Sequence, residues 1–234
     1  MNQPTYNSDG FATVHSVAWM EEPRFKEAYR RALATDHPFG PDLHIEWRIF
    51  LPCWAASVAK DLPGDFVDCG VASGMMPSAV CSYIDFNRYP EKKYYLLDTF
   101  GDFPMDQFLP EERYVGVDKS VEHLFKDTWS SVLATFAEYP NVVPIRGMVP
   151  DTLPLVPSEQ IAYLLLDMNA AKPERYAIEY FWDRIVPGGM IVLDDYGFGQ
   201  HIIQKLVLDD FFTSKGVTVF TMPTAQGLVI KPHR

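Results

Sequence analysis

Two apolar runs that end in acid carry the chemistry of this chain. Met190-Ile191-Val192-Leu193 runs into Asp194-Asp195-Tyr196-Gly197, and Tyr163-Leu164-Leu165-Leu166 runs into Asp167. Each run has the continuous apolar character of a strand buried on both faces of a parallel sheet. In such a sheet the carboxyl ends of the strands border the ligand crevice. Three carboxylates meeting there repel one another unless protonated or neutralised by a cation. Oxygen-only ligands favour Mg2+, Ca2+ or Mn2+ over zinc, so Asp167, Asp194 and Asp195 are the expected metal ligands. Neighbouring residues of a strand face opposite ways, so Asp194 and Asp195 can share an ion only if the strand ends there, and Tyr196-Gly197 supplies a turn. The competing reading is that each acid caps the helix that follows it.

A second constellation is Asp68-Cys69-Gly70-Val71-Ala72-Ser73-Gly74, where a strand gives way to a helix. Glycine at such a turn lets backbone approach a ligand. A pyrophosphate-binding turn needs GxGxxG, whereas the spacing here is GxxxG followed by Met75, Met76 and Pro77, which weakens an NAD reading. Asp98, closing Tyr94-Tyr95-Leu96-Leu97, suits the two hydroxyls of a ribose. An adenosyl ligand without pyrophosphate satisfies both features, and S-adenosylmethionine is the expected one. NAD-linked oxidoreduction and a cofactor-binding protein without catalysis are the alternatives.

Taken in order, Asp-Cys-Gly-Val-x-x-Gly from Asp68, Leu-Leu-Asp-Thr-Phe-Gly-Asp-Phe-Pro from Leu96, Gly-x-x-x-Asp-Thr-Leu-Pro from Gly147 and Pro-Gly-Gly-x-Ile-Val-Leu-Asp-Asp-Tyr-Gly from Pro187 resemble the macrocin-type O-methyltransferases of antibiotic biosynthesis. The resemblance runs from about residue 60 to the C-terminus. It implies a class I, Rossmann-like methyltransferase fold, a Mg2+ ion, and methylation of a hydroxyl on a sugar or related natural product. It also implies that Asp68, Gly70, Val71 and Gly74 border the methionine part of the cofactor, that Asp98 and Thr99 serve the ribose, and that Gly147-Met148-Val149 lie against the adenine. Asp167, Asp194 and Asp195 match the metal positions, with Asp167 also near the cofactor.

Methyl transfer from a sulfonium to an alcohol needs an in-line approach and a hydroxyl that has lost its proton. The sugar-modifying relatives resemble one another in carrying a second acid two positions after the first metal ligand. This chain has Asn169 there, and an amide takes no proton at ordinary pH. Related catechol-type enzymes use a lysine at the next position, here Ala170. His201, six residues beyond Asp195, is therefore the expected base. Asn169 is expected to bind a substrate hydroxyl or the ion, and His123 and Lys172 are weaker candidates for the base.

These residues need a scaffold, and the chain alternates strand and helix from Asp65 onward. Expected strands are Phe66 to Val71, Tyr94 to Asp98, Asn141 to Arg146, Ile161 to Asp167 and Gly189 to Asp194. Helices are expected over Pro77–Phe86, Pro173–Ile185 and Gln200–Lys215, giving a parallel sheet covered on both faces. Val217 to Phe220 and Leu228 to Ile230, flanking Pro223 to Gly227, predict an antiparallel hairpin at one edge of a seven-stranded sheet. Two helices, Glu21–Ala34 with Phe25, Tyr29 and Leu33 on one stripe and Asp42–Lys60 interrupted by Pro52, form an N-terminal extension over residues 1–62, after a loose polar start. The catalytic domain spans 63–234. The long link from Gly101 to Pro140 is expected to hold a lid over 102–117 and a helix over about 119–138, packed by Phe103, Phe108, Tyr114, Phe125 and Trp129.

At 234 residues with 47% hydrophobic content, the chain can bury a substantial core. A net charge of -11 and the lack of a basic cluster argue against a nucleic-acid partner. No run is long enough to span a bilayer and no signal-peptide pattern opens the chain, so a cytoplasmic protein without membrane contact is expected. Cys53, Cys69 and Cys81 form no CxxC pair and read as core residues. The partner expected is a small hydroxyl acceptor, glycosidic in type. The aromatic-rich N-terminal helices offer a face for a homodimer or higher homo-oligomer, by fold-level analogy.

Overall fold

The N-terminus is ordered by a tight turn at Asp9-Gly10. In the computed structural model, which describes residues 3–40, 42–101, 103–121 and 127–233, Asp9 (φ 49°) and Gly10 (φ 70°) both adopt left-handed backbone. Such a turn matches strand twist and joins β1 (Tyr6–Ser8) to β2 (Phe11–Thr13) as an antiparallel pair. The expectation of a loose start is thus overturned. The Ser8 hydroxyl donates to the His44 carbonyl at 2.7 Å, and Phe11 meets Trp47 edge-on with centroids 5.9 Å apart.

Helix α1 (Pro23–Leu33) opens with proline at a position that has no helical N–H bond to lose. Its inward stripe is Phe25, Ala28 and Ala32, so small residues let it approach its neighbour closely. Helix α2 (Glu46–Ala59) runs through Pro52. Proline cannot donate to the carbonyl four residues back. The orphaned Arg48 carbonyl instead accepts from the Gln226 side chain at 3.1 Å.

Strand residues then sort by twos onto two faces. In β3 (Asp65–Cys69), Phe66 faces the core beneath α1 and α2, while Val67 and Cys69 face the opposite core. The same alternation marks β7 (Ile185–Leu193), with Met190 and Val192 on one face and Ile191 and Leu193 on the other. Between them lie α3 (Met75–Ile84), β4 (Tyr94–Asp98), the short helices α4 (Pro110–Tyr114) and α5 (Val117–Val121), α6 (Trp129–Phe136), β5 (Val142–Arg146), β6 (Ile161–Leu166) and α7 (Ala171–Phe181). Helix α8 (Ile202–Ser214) and the strands β8 (Phe220–Thr221) and β9 (Gly227–Ile230) complete the chain. The seven-stranded sheet has the order β5-β4-β3-β6-β7-β9-β8. Five strands are parallel, and β9 inserts antiparallel between β7 and β8. This is the mostly parallel α/β arrangement of the class I methyltransferases, helices on both faces.

The single helix expected over 119–138 is instead α5 and α6, with Asp127 and Thr128 outside any helix before α6 begins. Asp102, His123 and Phe125, named above for the lid, the base and the aromatic packing, lie outside the described residues. Phe108, Val117 and Val121 form a small core of their own against Ala170. All three cysteines are buried and free. Among the described residues, no helix is long and apolar enough to cross a membrane.

Gly70 sits where β3 and β6 emerge side by side. Its φ is +87°, and a Cβ there would lie 1.9 Å from the Asp167 carbonyl oxygen. Gly116 has a similar φ of +82° but nothing within 4 Å of an added Cβ. Gly116→Ala should therefore cost only the left-handed penalty, about 1–2 kcal/mol. Gly70→Ala must also displace backbone and should cost more than ~3 kcal/mol. Denaturant melts of the two variants check this, and equal losses would contradict it.

Candidate active site

The parallel pairing of β6 with β7 sets Leu166 beside Leu193, so the residues that follow emerge together. Strand β7 ends at Leu193, and the turn beyond it brings the consecutive acids into one crevice. Single oxygens of Asp167, Asp194 and Asp195 all lie within 4.8 Å of one another. The helix-cap alternative is not what forms: α7 and α8 begin without a side-chain cap.

A cation of the protein's own is already there. Arg48 of α2 is buried, and its Nη1 donates to Asp194 Oδ2 at 2.8 Å and lies 3.7 Å from Asp195 Oδ1. Its Nε donates to Asp9 at 3.1 Å and its Nη2 to the Thr224 carbonyl at 2.9 Å. The second oxygen of Asp194 accepts from Gln226 Nε2 at 2.8 Å. Gln226 thus spends its two amide protons on Asp194 and on the carbonyl that Pro52 leaves unpaired. Burial works against the Arg48 charge, but Asp194, Asp9 and Asp195 outweigh it and raise its pKa.

The other two acids are poorly served. Asp167 receives one long bond, from Asn169 Nδ2 at 3.3 Å, and Asp195 has Arg48 at 3.7 Å. Burial, and then repulsion from Asp194 and Asp195, push Asp167 well above the usual carboxylate range. Burial and Asp194 raise Asp195 to about 6, against the opposing pull of His201 and Arg48. One guanidinium serves Asp9, Asp194 and Asp195, with Asp167 beside them, so acidic groups outnumber cations in the crevice. Oxygen-only donors, spare lone pairs on Asp167 and Asp195 and mutual reach fit a hard divalent ion.

Two pockets flank this cluster and share Gly70 and Ala72. The larger, ≈ 1160 Å³, has the three acids, Asn169, Arg48 and Asp9 at its polar end. Its apolar walls come from Pro38, Phe39 and Leu43, from Met75 and Met76, and from Phe198. Phe39 and Phe198 are 53% and 43% exposed, an aromatic rim awaiting an apolar partner. The smaller, ≈ 570 Å³, is bordered by Asp98, Thr99, Gly147, Met148 and Val149, together with Met168. Asp98 holds the glycine turn: Oδ2 accepts from the Val71 and Ala72 amides at 2.6 and 2.8 Å, and Oδ1 from the Phe100 amide at 2.6 Å. Val71 borders the larger pocket.

Several expected residues stand elsewhere. Asp68 is fully buried behind the turn, accepts from the Tyr94 hydroxyl at 2.8 Å and lines neither pocket. Gly74 also lines neither; it starts α3, where a Cβ would meet the Phe136 ring at 2.8 Å. The segment expected as a lid borders the smaller pocket through Phe103, Pro104 and Gln107 and contributes nothing to the lining of the larger one among the described residues. Glu112 of α4 docks it, accepting from the Ala171 amide at 2.7 Å and the Leu109 amide at 2.8 Å. His201, the expected base, is 4% exposed, engages Gln204 through Nδ1 at 3.0 Å and borders neither pocket. Its position at the start of α8 turns it into the protein, away from any acceptor. Lys172 is exposed and lines neither pocket. Asn169, at φ 55°, lines the larger pocket beside Asp167.

Arg48, Asp9 and Gln226 are the residues that motif reading passed over. The first had a local signal, a lone arginine in the otherwise apolar helix Glu46–Ala59. Asp9 had another, an Asp-Gly pair between short alternating runs. Gln226 had none, because its partners are remote in sequence.

A sequence profile described as macrocin-O-methyltransferase (TylF) matches residues 12–222, so the chain belongs to that family. Among curated proteins it is 26% identical over 158 residues to the 8-demethyl-8-(2,3-dimethoxy-alpha-L-rhamnosyl)-tetracenomycin-C 4'-O-methyltransferase of Streptomyces olivaceus, covering 62% of this chain and 57% of that protein. It is 23% identical over 151 residues to the mycinamicin III 3''-O-methyltransferase of Micromonospora griseorubida, covering 62% of this chain and 59% of that one. The chain thus spans a little over half the length of these relatives. Among solved structures, the O-methyltransferase NovP superposes with a TM-score of 0.72 at 16% identity, over 82% of this chain and 84% of NovP. The calicheamicin methyltransferase CalS11 superposes with a TM-score of 0.62 at 14% identity, over 98% of both chains. These likenesses establish the fold.

The electrostatics predict opposite stability effects within the cluster. Asp167→Asn in the metal-free protein removes repulsion and keeps the bond from Asn169, so its melting temperature should rise by about 2–4 °C. Asp194→Asn strips a buried guanidinium of its closest counter-ion and should cost about 2–3 kcal/mol. Calorimetric melts in chelator check both signs, and destabilisation by Asp167→Asn would refute the first.

Proposed function

We propose that this member of the macrocin O-methyltransferase family transfers the methyl group of S-adenosylmethionine to a hydroxyl of a sugar or other small natural product, assisted by a hard divalent cation, Mg2+ foremost. The observation that carries this reading is the meeting of the two pockets at Gly70 and Ala72, with the acid cluster on the acceptor side. The family supports the reaction class, and both curated relatives are named as O-methyltransferases of natural products, one of them for a rhamnosyl-bearing tetracenomycin.

In this reading Asp98 serves the ribose with the lone pairs left after three amide bonds, while Gly147, Met148 and Val149 border the base. Backbone of Gly70 and Val71 flanks the methionine part, and no pyrophosphate cradle is needed. Asp167, Asp194 and Asp195 hold the ion, which when bound orients the acceptor hydroxyl and lowers its pKa. Asn169 offers that hydroxyl a donor and an acceptor without removing its proton. The closed end of the pocket fixes the hydroxyl while the apolar walls seat the rest of the molecule. Holding oxygen in line with the methyl supplies much of the acceleration.

Calorimetric titration should show S-adenosylmethionine binding and no comparable NAD binding. The converse would replace this reading with an oxidoreductase. Asp98→Ala should weaken S-adenosylmethionine by roughly tenfold or more, the worth of one charge-assisted hydrogen bond. Asp167→Asn should abolish turnover of a screened glycoside while changing cofactor affinity less than about threefold, and chelation should abolish turnover reversibly. Ordinary turnover by Asp167→Asn, or in excess chelator, would end the cation assignment.

A further inference from the structure

We propose that the N-terminal hairpin is a working part of the cation site, with Asp9 as a positioning residue that acts on it through Arg48. The inference rests on the cation reading above and extends it to a segment far away in sequence. Asp9 lines the acceptor pocket with the three acids. It meets the inner edge of Arg48, whose Nε and Nη2 lie 3.1 and 3.4 Å from Oδ2 and Oδ1. Both side chains are only 9% exposed. The Arg48 Nη1 edge holds Asp194 at 2.8 Å and approaches Asp195 at 3.7 Å. One rigid planar group therefore joins the hairpin turn to two of the three proposed ligands.

Geometry and charge act in the same direction. Asp9, with the Thr224 carbonyl, sets the plane of Arg48, and Arg48, with Gln226, sets the rotamer of Asp194. Asp9 also absorbs part of the guanidinium charge. Without that carboxylate, Arg48 draws harder on Asp194 and Asp195, whose oxygens the ion needs, and the crevice loses one of its four acidic groups. The looser fork and the weaker field both lower affinity for a divalent cation. The docking of the hairpin through Ser8 on His44 and Phe11 on Trp47 thereby becomes a condition of a fully formed site.

The test uses Mn2+ as the probe, titrated into the whole chain and followed by electron paramagnetic resonance, with neither methyl donor nor acceptor present. Asp9→Asn keeps size and tolerates the left-handed turn. It is expected to weaken Mn2+ about tenfold, the effect of ~1.4 kcal/mol, while S-adenosylmethionine affinity stays as in the wild type. Arg48→Lys keeps the charge but not the planar fork and should weaken Mn2+ several-fold with the same unchanged cofactor affinity. Wild-type Mn2+ affinity in Asp9→Asn overturns the proposal. So does parallel loss of Mn2+ and S-adenosylmethionine binding, since that marks a merely structural role. A wild-type chain that binds no Mn2+ overturns the cation reading itself and this inference with it, an outcome distinct from the other two.

Discussion

Carboxylates brought together in a buried crevice must be neutralised, and this constraint organises the catalytic half of the molecule. Asp167, Asp194 and Asp195 are delivered to one point by the ends of two paired strands. The chain answers part of the repulsion with Arg48 and leaves the rest unanswered. A buried arginine among acids is costly unless every donor is matched, and here each edge of the guanidinium has a partner from a different element: β1–β2 turn, β7 exit and the segment before β9. The knot is therefore also a tertiary clamp. It explains why α2 continues through Pro52, since Gln226 serves both the orphaned carbonyl and Asp194.

The same constraint divides labour among the acids. Asp194 is satisfied on both oxygens and is the fixed member, whereas Asp167 and Asp195 are left short of partners. A ligand cation would find one ligand already aimed and two short of partners. The polar end of the larger pocket thus has a strong demand for positive charge, while its rim, Phe39 and Phe198, is aromatic and exposed. Such a division suits a molecule with hydroxyls at one end and apolar bulk at the other. Beside the smaller pocket, Asp98 fixes the glycine turn through three amides, so that surface is organised by the protein's own hydrogen bonds. The segment carrying Phe103 and Gln107 borders the same pocket and is docked through Glu112 onto the Ala171 amide, next to Asp167 and Asn169.

Much of the scaffold was legible because buried parallel strands announce themselves. Tyr94 to Asp98 matches the expected span, and Ile161 and Val142 fall within a residue of where their strands were expected to begin. Helix ends were less legible, since Met75 and Met76 extend α3 toward Gly74 where Pro77 suggested a later start. The 119–138 segment was expected as one helix packed by its aromatics, yet Val121 joins a small core with Ala170 while Phe136 joins the core shared by α1 and α3. Two destinations in space require two helices. The burial of His201 was illegible for a related reason: nearness to Asp195 along the chain says nothing about which way a side chain points from the start of a helix.

By itself the sequence determined the alternating α/β layers, the acids at the ends of β6 and β7 and the glycine-bearing turn with Asp98 beyond it. These are local matters, set by apolar runs, residue type and turn chemistry within a few positions. Tertiary structure alone decided what neutralises those acids. Arg48 lies 146 positions from Asp194, and Asp9 and Gln226 reach the same knot from near opposite ends of the chain. Charge balance in a buried site depends on distances of a few ångströms, which spacing along a chain does not encode. The same holds for the side of the crevice that the lid covers and for the inward turn of His201.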